Sequence, residues 1–251
     1  MENENIYGRI QEFFGGLNQN FSLLEEPVDV AVQMNYFETS SRIRENVKEE
    51  DIIARKDELF DPEMTVDKKK ILLAQMASIP SPEIYRAIES YAKAPDVELK
   101  DWSKMALQEN RILLESELLD NNRQVFISTG LGGKGNKLRY FVVLFNKDGN
   151  DLKQFQQKVV RDEMSYALQK HDSELEKLNF MRQYVTMSVV VPISSDLTKL
   201  FRDGICECNQ FGNFLAPDFI VTNMKELSEE EINEAISVNH PITDDDFPPV
   251  E

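Results

Sequence analysis

The chain is short of the side chains that usually mark metal and thiol chemistry: 251 residues hold two cysteines and two histidines, and 28 basic residues stand against 45 acidic ones. Each shortage excludes something. Cys206 and Cys208 are too few for a disulfide framework and suit a reducing compartment. His171 and His240 lie elsewhere, so a four-ligand zinc site would need carboxylates brought in by folding, and no metal or other cofactor is expected. No segment approaches the roughly 18 uninterrupted apolar residues of a membrane helix, and MENENIYGRI lacks the basic start and apolar run of a secretory signal. The expectation is a cytoplasmic protein with no membrane partner. A net charge of −17 repels phosphate backbones, and a broad Lys/Arg face is missing, so general nucleic-acid binding is not expected.

What is present is enough apolar material, 41% of residues, to fill one large core or two modest ones. In EPVDVAVQMNYF the alternation of Val28, Val30, Val32 and Met34 suits a strand, whereas Pro27 followed by Val28, Ala31, Val32 and Tyr36 suits a helix. The helical neighbourhood favours the helix. Thr65 can cap a helix bearing Leu72, Leu73, Met76 and Ile79, which Pro80 ends. Ser81-Pro82 starts a second with Ile84, Ile88 and Tyr91, and a third follows Asp96 with Leu99, Trp102, Ala106 and Leu113. Turns this short make the three antiparallel neighbours.

DVELKDWSKMALQ places Asp96 at a turn, then Leu99-Lys100, the small Ser103 and Ala106-Leu107. Over residues 66–118 this resembles the second half of a HEAT repeat. The resemblance implies a stacked helical pair with a partner-binding surface, and Trp102, though a departure from the small residues usual there, lies on the stripe of Leu99 and Ala106 and is expected to be buried between helices.

Beyond Asp120 the period changes. QVFISTGL reads as a strand, Gly132 to Lys137 as its loop, and LRYFVVLF as a central strand apolar on both faces. A helix with Leu152, Phe155 and Val159 follows, then the strand QYVTMSVVV, a helix capped by Ser195 with Phe201, Ile205 and a core Cys208, and the strand FLAPDFIV, in which Pro217 forces an edge or a bulge. Ser228 and Glu231 make a capping box for a last helix, and DDDFPPVE is an acidic tail. The fold class is therefore α+β in two units. Residues 1–120 form an all-α, HEAT-like domain, 121–240 an α/β domain with a mixed four-stranded sheet, and 241–251 the tail.

Chemistry is most visible in STGLGGKGNKLRYF, which concentrates four of the ten glycines and three cations. Gly130 and Gly135 have the spacing of a G-x-x-x-x-G-K-S/T phosphate cradle. However, Asn136 stands where its lysine belongs, and a strand follows where the cradle needs a helix. A hairpin needs one or two residues at positive φ, so four glycines imply close approach by another backbone, a ligand or a partner, or else a mobile hairpin tip. The candidate binding residues are Gly130, Gly132, Gly133, Lys134, Gly135, Asn136, Lys137 and Arg139, with Arg139 the weakest member because it could face the other way. Ser128 and Thr129 lack a nucleophile context, and acidic neighbours of Cys206 argue against an activated thiol, so no catalytic residue is assigned. The function read from these features is a non-catalytic adaptor or scaffold, binding a protein partner through the helical surface and the loop. The alternative is an enzyme or sensor of a small anion held by the basic loop.

Overall fold

The computed structural model describes residues 21–43, 48–118 and 124–239. The expected junction at Asp120–Arg123, His240 and the tail 241–251 lie outside the described residues. The order is β1 (Phe21–Leu23), α1 (Val30–Ile43), α2 (Glu49–Arg55), α3 (Val66–Ala77), α4 (Pro82–Lys93) and α5 (Lys100–Leu118), then β2 (Val125–Ile127), β3 (Gly133–Lys134) and β4 (Lys137–Asn146). After these come α6 (Gln154–Lys170), β5 (Glu174–Phe180), β6 (Tyr184–Pro192), α7 (Leu197–Asn209), β7 (Leu215–Thr222) and α8 (Glu229–Asn239). Among the described residues no helix is long and apolar enough to cross a membrane.

The ambiguous stretch after Pro27 is helical, but its cap is Asp29, whose carboxylate accepts from the Ala31 N–H at 2.8 Å. Helices α1 and α3–α5 enclose a core of Leu72, Leu73, Met76, Ile84, Ile88 and Met105. Pro80 prevents α3 from continuing, which leaves its last carbonyls in the core. The buried Asn110 amide answers them, donating to Met76, Ala77 and Ile79 carbonyls at 3.2, 3.3 and 2.6 Å. At the other end of α3, Lys69 reaches Asp96 at 2.7 Å and Tyr91 donates to the same carboxylate at 2.7 Å, so the α4–α5 turn is pinned to α3. Hydrogen bonds from Lys69 and Tyr91 hold the Asp96 carboxyl below its ordinary range. Trp102 is 2% exposed, donates to the Lys70 carbonyl at 3.1 Å and meets Tyr36 edge to face at 5.1 Å.

The sheet differs from the expected mixed one. Strands run β5-β6-β4-β7 with every pairing antiparallel, and β3 adds to β4 beside the loop. Two features of the sequence account for the difference. The strand β5 was not foreseen, because a register shift between Leu175 and Lys177 breaks its alternation. QVFISTGL contributes only Val125–Ile127, which pair in parallel with β1 and never join the main sheet. The result is a split β-α-β arrangement, in which the α6 crossover from β4 to β5 leaves room for β6 and the α7 crossover from β6 to β7 passes over β4. Both α6 and α7 cover one face, where Met164, Phe201, Ile205 and Cys208 pack on Val142, Leu144, Met187 and Val189. Ile232 of α8 covers Phe141, Val143, Phe145 and Tyr184 on the other. Helix α7 is capped by Asp196, not Ser195, and the Ser228–Glu231 box that opens α8 forms in both directions.

Replacing Trp102 by Ala is expected to cost about 3–5 kcal/mol in urea unfolding, since the ring fills the space between α1, α3 and α5. Native emission resembling that of tryptophan in water would show that the site is wet.

Candidate functional site

The glycine-rich stretch lies where three distant segments cross. Strand β1 pairs with β2 (Phe21 with Val125, Leu23 with Ile127), and its continuation runs over the loop. The Glu25 carbonyl accepts from the Gly133 N–H at 3.0 Å, and the Glu25 carboxylate accepts from the Gly135 N–H at 2.8 Å. From the other side the Leu131 N–H donates to the Asn223 carbonyl at 3.0 Å. A Cβ at Gly130 would overlap the Met224 carbonyl, one at Gly132 the Glu25 carbonyl, and one at Gly133 the Lys137 carbonyl and the Leu23 side chain. Only Gly135 faces open space. With φ of 61° it supplies the positive φ that a two-residue hairpin turn needs before Asn136. The surplus glycines thus serve close approach by the chain's own backbone.

The cations of the loop are matched by carboxylates on and beside β5. Lys134 meets Glu174 at 2.7 Å, and Lys137 meets Asp172 at 3.1 Å and Glu174 at 3.6 Å. Arg139 forks onto Glu176 at 2.6 and 2.9 Å and donates to the Leu131 carbonyl at 2.8 Å. Expected to be the weakest member of a binding set, Arg139 is the most firmly held of the three. The Lys134 hydrogen bond holds Glu174, and the Arg139 fork holds Glu176, below the usual glutamate range. Ser128 donates to the Gln33 side chain at 2.7 Å and Thr129 to the Gly132 carbonyl at 3.1 Å, so both hydroxyls also belong to the seam. Burial, with Glu163 and Glu207 nearby, pushes the Cys208 thiol up to about 12, while Cys206 is exposed.

Beside this seam lies a groove of about 910 Å³, walled by residues 21–26, by α4 and by α5, with Gly135 on its rim. On α5 the lining residues Lys100, Lys104, Leu107, Gln108 and Arg111 recur at helical spacing, a basic stripe about 16 Å long. Gln108 donates to the Ser22 hydroxyl at 2.7 Å and Lys104 reaches Glu26 at 3.3 Å and Asp101 at 2.9 Å, which together hold the 21–26 wall. Burial would lower the Lys104 pKa, but Asp101 and Glu26 carry it above the ordinary lysine value. Lys93 and Arg111 are 72% and 56% exposed, each beside one helix-mate carboxylate, Glu89 and Glu115. Lys100 has no carboxylate within ion-pair distance among the described residues. Phe21 and Tyr85, both half-buried, line the same groove. The sequence contained this signal in the polar face of α5, where cations recur at four and seven residues, but apolar periodicity alone does not show it.

No known family profile and no curated protein matches the chain. Among solved structures it is similar to a candidate transposase from Deinococcus radiodurans R1, at 16% identity, TM-score 0.37, covering 43% of this chain and 95% of that one. It is also similar to a REP-associated tyrosine transposase bound to a REP hairpin, at 12% identity, TM-score 0.31, covering 43% of this chain and 71% of that one. Likeness at this level assigns no activity here. The expected protein-binding scaffold and the expected absence of general nucleic-acid binding are at odds with these matches, which are described as transposases, one of them bound to a REP hairpin. The scaffold's loop surface is in any case occupied by Glu25, Met224 and the β5 carboxylates, and so are the cations meant for a small anion.

Gly130→Ala and Gly132→Ala should lower Tm by more than Gly135→Ala, whose new methyl meets only a strained φ costing about 1 kcal/mol. Because Glu174 and Glu176 titrate low when folded, their pairs stabilise the protein above the unfolded glutamate pKa of about 4.3, and that stability is lost as pH falls through the folded values. Glu176→Gln should therefore flatten the fall of Tm on acidification. An unchanged slope would remove this pair from the acid response.

Proposed function

We propose that the chain binds single-stranded nucleic acid in the groove between residues 21–26, α4 and α5. The observation that carries this reading is the α5 stripe of Lys100, Lys104 and Arg111 in a groove that also contains Phe21 and Tyr85. Cations that track a phosphate backbone beside aromatic faces that stack bases are the two elements of sequence-tolerant single-strand binding. A duplex keeps its bases stacked on one another and offers Phe21 and Tyr85 nothing to stack with. The acidic remainder of the surface repels phosphate and so confines the contact to the groove.

Of the loop residues singled out from the sequence, Gly135 takes part directly as the rim. Gly132, Gly133 and Arg139 act by meeting Glu25 and Leu23 in the wall that carries Phe21, whereas Gly130 packs on Met224, Lys134 and Lys137 pair on and beside β5, and Asn136 belongs to the turn between them. The two-unit division is part of the same proposal, supported by the separate helical and sheet cores. So is the HEAT-like architecture of residues 66–118, supported by the Asp96 turn. Cytoplasmic placement is proposed with them, on the two unpaired thiols.

Anisotropy of a labelled single-stranded oligonucleotide should show binding that weakens with salt and drops by about tenfold or more in Lys100→Glu with Arg111→Glu. The matching duplex should bind less tightly. Absence of binding by the native chain at low salt, or indifference to the double substitution, would overturn the reading. So would binding of an acidic peptide with no binding of any oligonucleotide.

A further inference from the structure

We propose that the cleft between α7, the turn that follows it and the end of β4 binds a small phosphomonoester with an aromatic body. It shares no lining residue with the groove above, and the inference does not rest on the groove's function. The cleft measures about 500 Å³, within the roughly 300–1,000 Å³ usual for small-molecule sites. Lys147 and Arg202 line it with the apolar Ile205, Leu215 and Pro217. In a chain with 45 acidic residues, no carboxylate does so. Asp148, Asp203, Glu207 and Asp218 are sequence neighbours of its lining residues, yet none of the four lines it. Unlike Lys134, Lys137 and Arg139, which pair on and beside β5, neither Lys147 nor Arg202 has a carboxylate within ion-pair distance among the described residues.

The walls are set by the fold. Arg202, Ile205, Cys206 and Asn209 recur at three- and four-residue spacing, so they form one face of α7. The Asn209 amide clamps the strand that follows, donating to the Leu215 carbonyl at 2.9 Å and accepting from the Leu215 N–H at 2.9 Å. On the third side the Lys147 N–H donates to the Phe214 carbonyl at 2.9 Å, which fixes where the lysine side chain starts. A ligand therefore meets walls that need no ordering. Two cations without carboxylates match a dianion, and a phosphomonoester carries about −1.5 to −2 charge at pH 7. The Arg202 fork can hold two of its oxygens at once, with Lys147 as a point charge opposite. A bare anion would leave Ile205, Leu215 and Pro217 in contact with water, and an aromatic body covers them.

Phenyl phosphate titrated calorimetrically into the full chain should bind with sub-millimolar affinity. Lys147→Gln with Arg202→Gln, both at exposed positions, should weaken binding about tenfold or more, since two charge-assisted hydrogen bonds are lost. Lys100→Glu with Arg111→Glu should leave it unchanged, and a loss there would place the ligand in the groove and overturn the proposal. Inorganic phosphate, which has no apolar body, should bind at least about tenfold more weakly. Equal affinity for the two probes overturns the aromatic ligand. Cys206 reports the place of binding, because it lines the cleft and is exposed, while Cys208 is buried with its thiol pushed up to about 12. Saturating phenyl phosphate should slow alkylation of Cys206 by uncharged iodoacetamide severalfold. No binding, binding indifferent to the Lys147 and Arg202 substitutions, or an unprotected Cys206 overturns the proposal.

Discussion

The passage of residues 21–26 between α5 and the glycine-rich loop is the contact on which the arrangement of the molecule depends. This segment pairs with β2, accepts from two N–H groups of the loop through Glu25, and is held to α5 by Lys104 and Gln108. Without it the helices and the main sheet would share little besides the chain between them. Because the backbones meet closely here, there is no room for a Cβ at Gly132 against Glu25 or at Gly133 against Leu23 and the Lys137 carbonyl, while Met224 on the other side excludes one at Gly130. The glycines follow from the geometry of the crossing rather than from any ligand's demand.

Charge is distributed by the same logic. In a chain with a large acidic excess, a cation left near a carboxylate will pair with it, and β5 carries Glu174 and Glu176 into reach of the loop's three cations. Lys69 is likewise consumed by Asp96. Lys100 and Arg111 differ in position: they ride the outward face of a helix beside a groove whose walls carry Phe21 and Tyr85 together with Glu25, Glu26 and Glu89, and Arg111 keeps only an exposed pair with Glu115. Local geometry, not the total, decides where an anion could approach.

The helical elements were legible in the sequence because proline punctuation and apolar spacing agree there, as at Pro80, Ser81-Pro82 and Trp102. The helices of the sheet region were legible for the same reason, and so was the edge position forced by Pro217. Strand β5 was hidden because its bulge breaks the alternation and its residues are mostly polar on an exposed edge. Missing β5 had two consequences. Without β5 the strand order implies a mixed sheet, and the loop cations lack visible partners, since Asp172, Glu174 and Glu176 lie on or beside that strand. The groove was illegible for a different reason, as it joins residues near position 22 to others near 108, and no local pattern encodes that meeting.

The parallel pairing of β1 with β2 also orders events during synthesis. Phe21 leaves the ribosome about a hundred residues before Val125, and Glu25 well before Gly133, so the first strand emerges with no partner. Helices α3 to α5 close through local contacts and can form early, whereas the seam waits for strands that arrive later and the Met224 side waits longer still. For that interval an apolar segment, Phe21 to Leu24, stands open beside a finished helical core. The nascent chain is most prone to misassociation in that window, and the window closes only when the loop threads beneath Glu25.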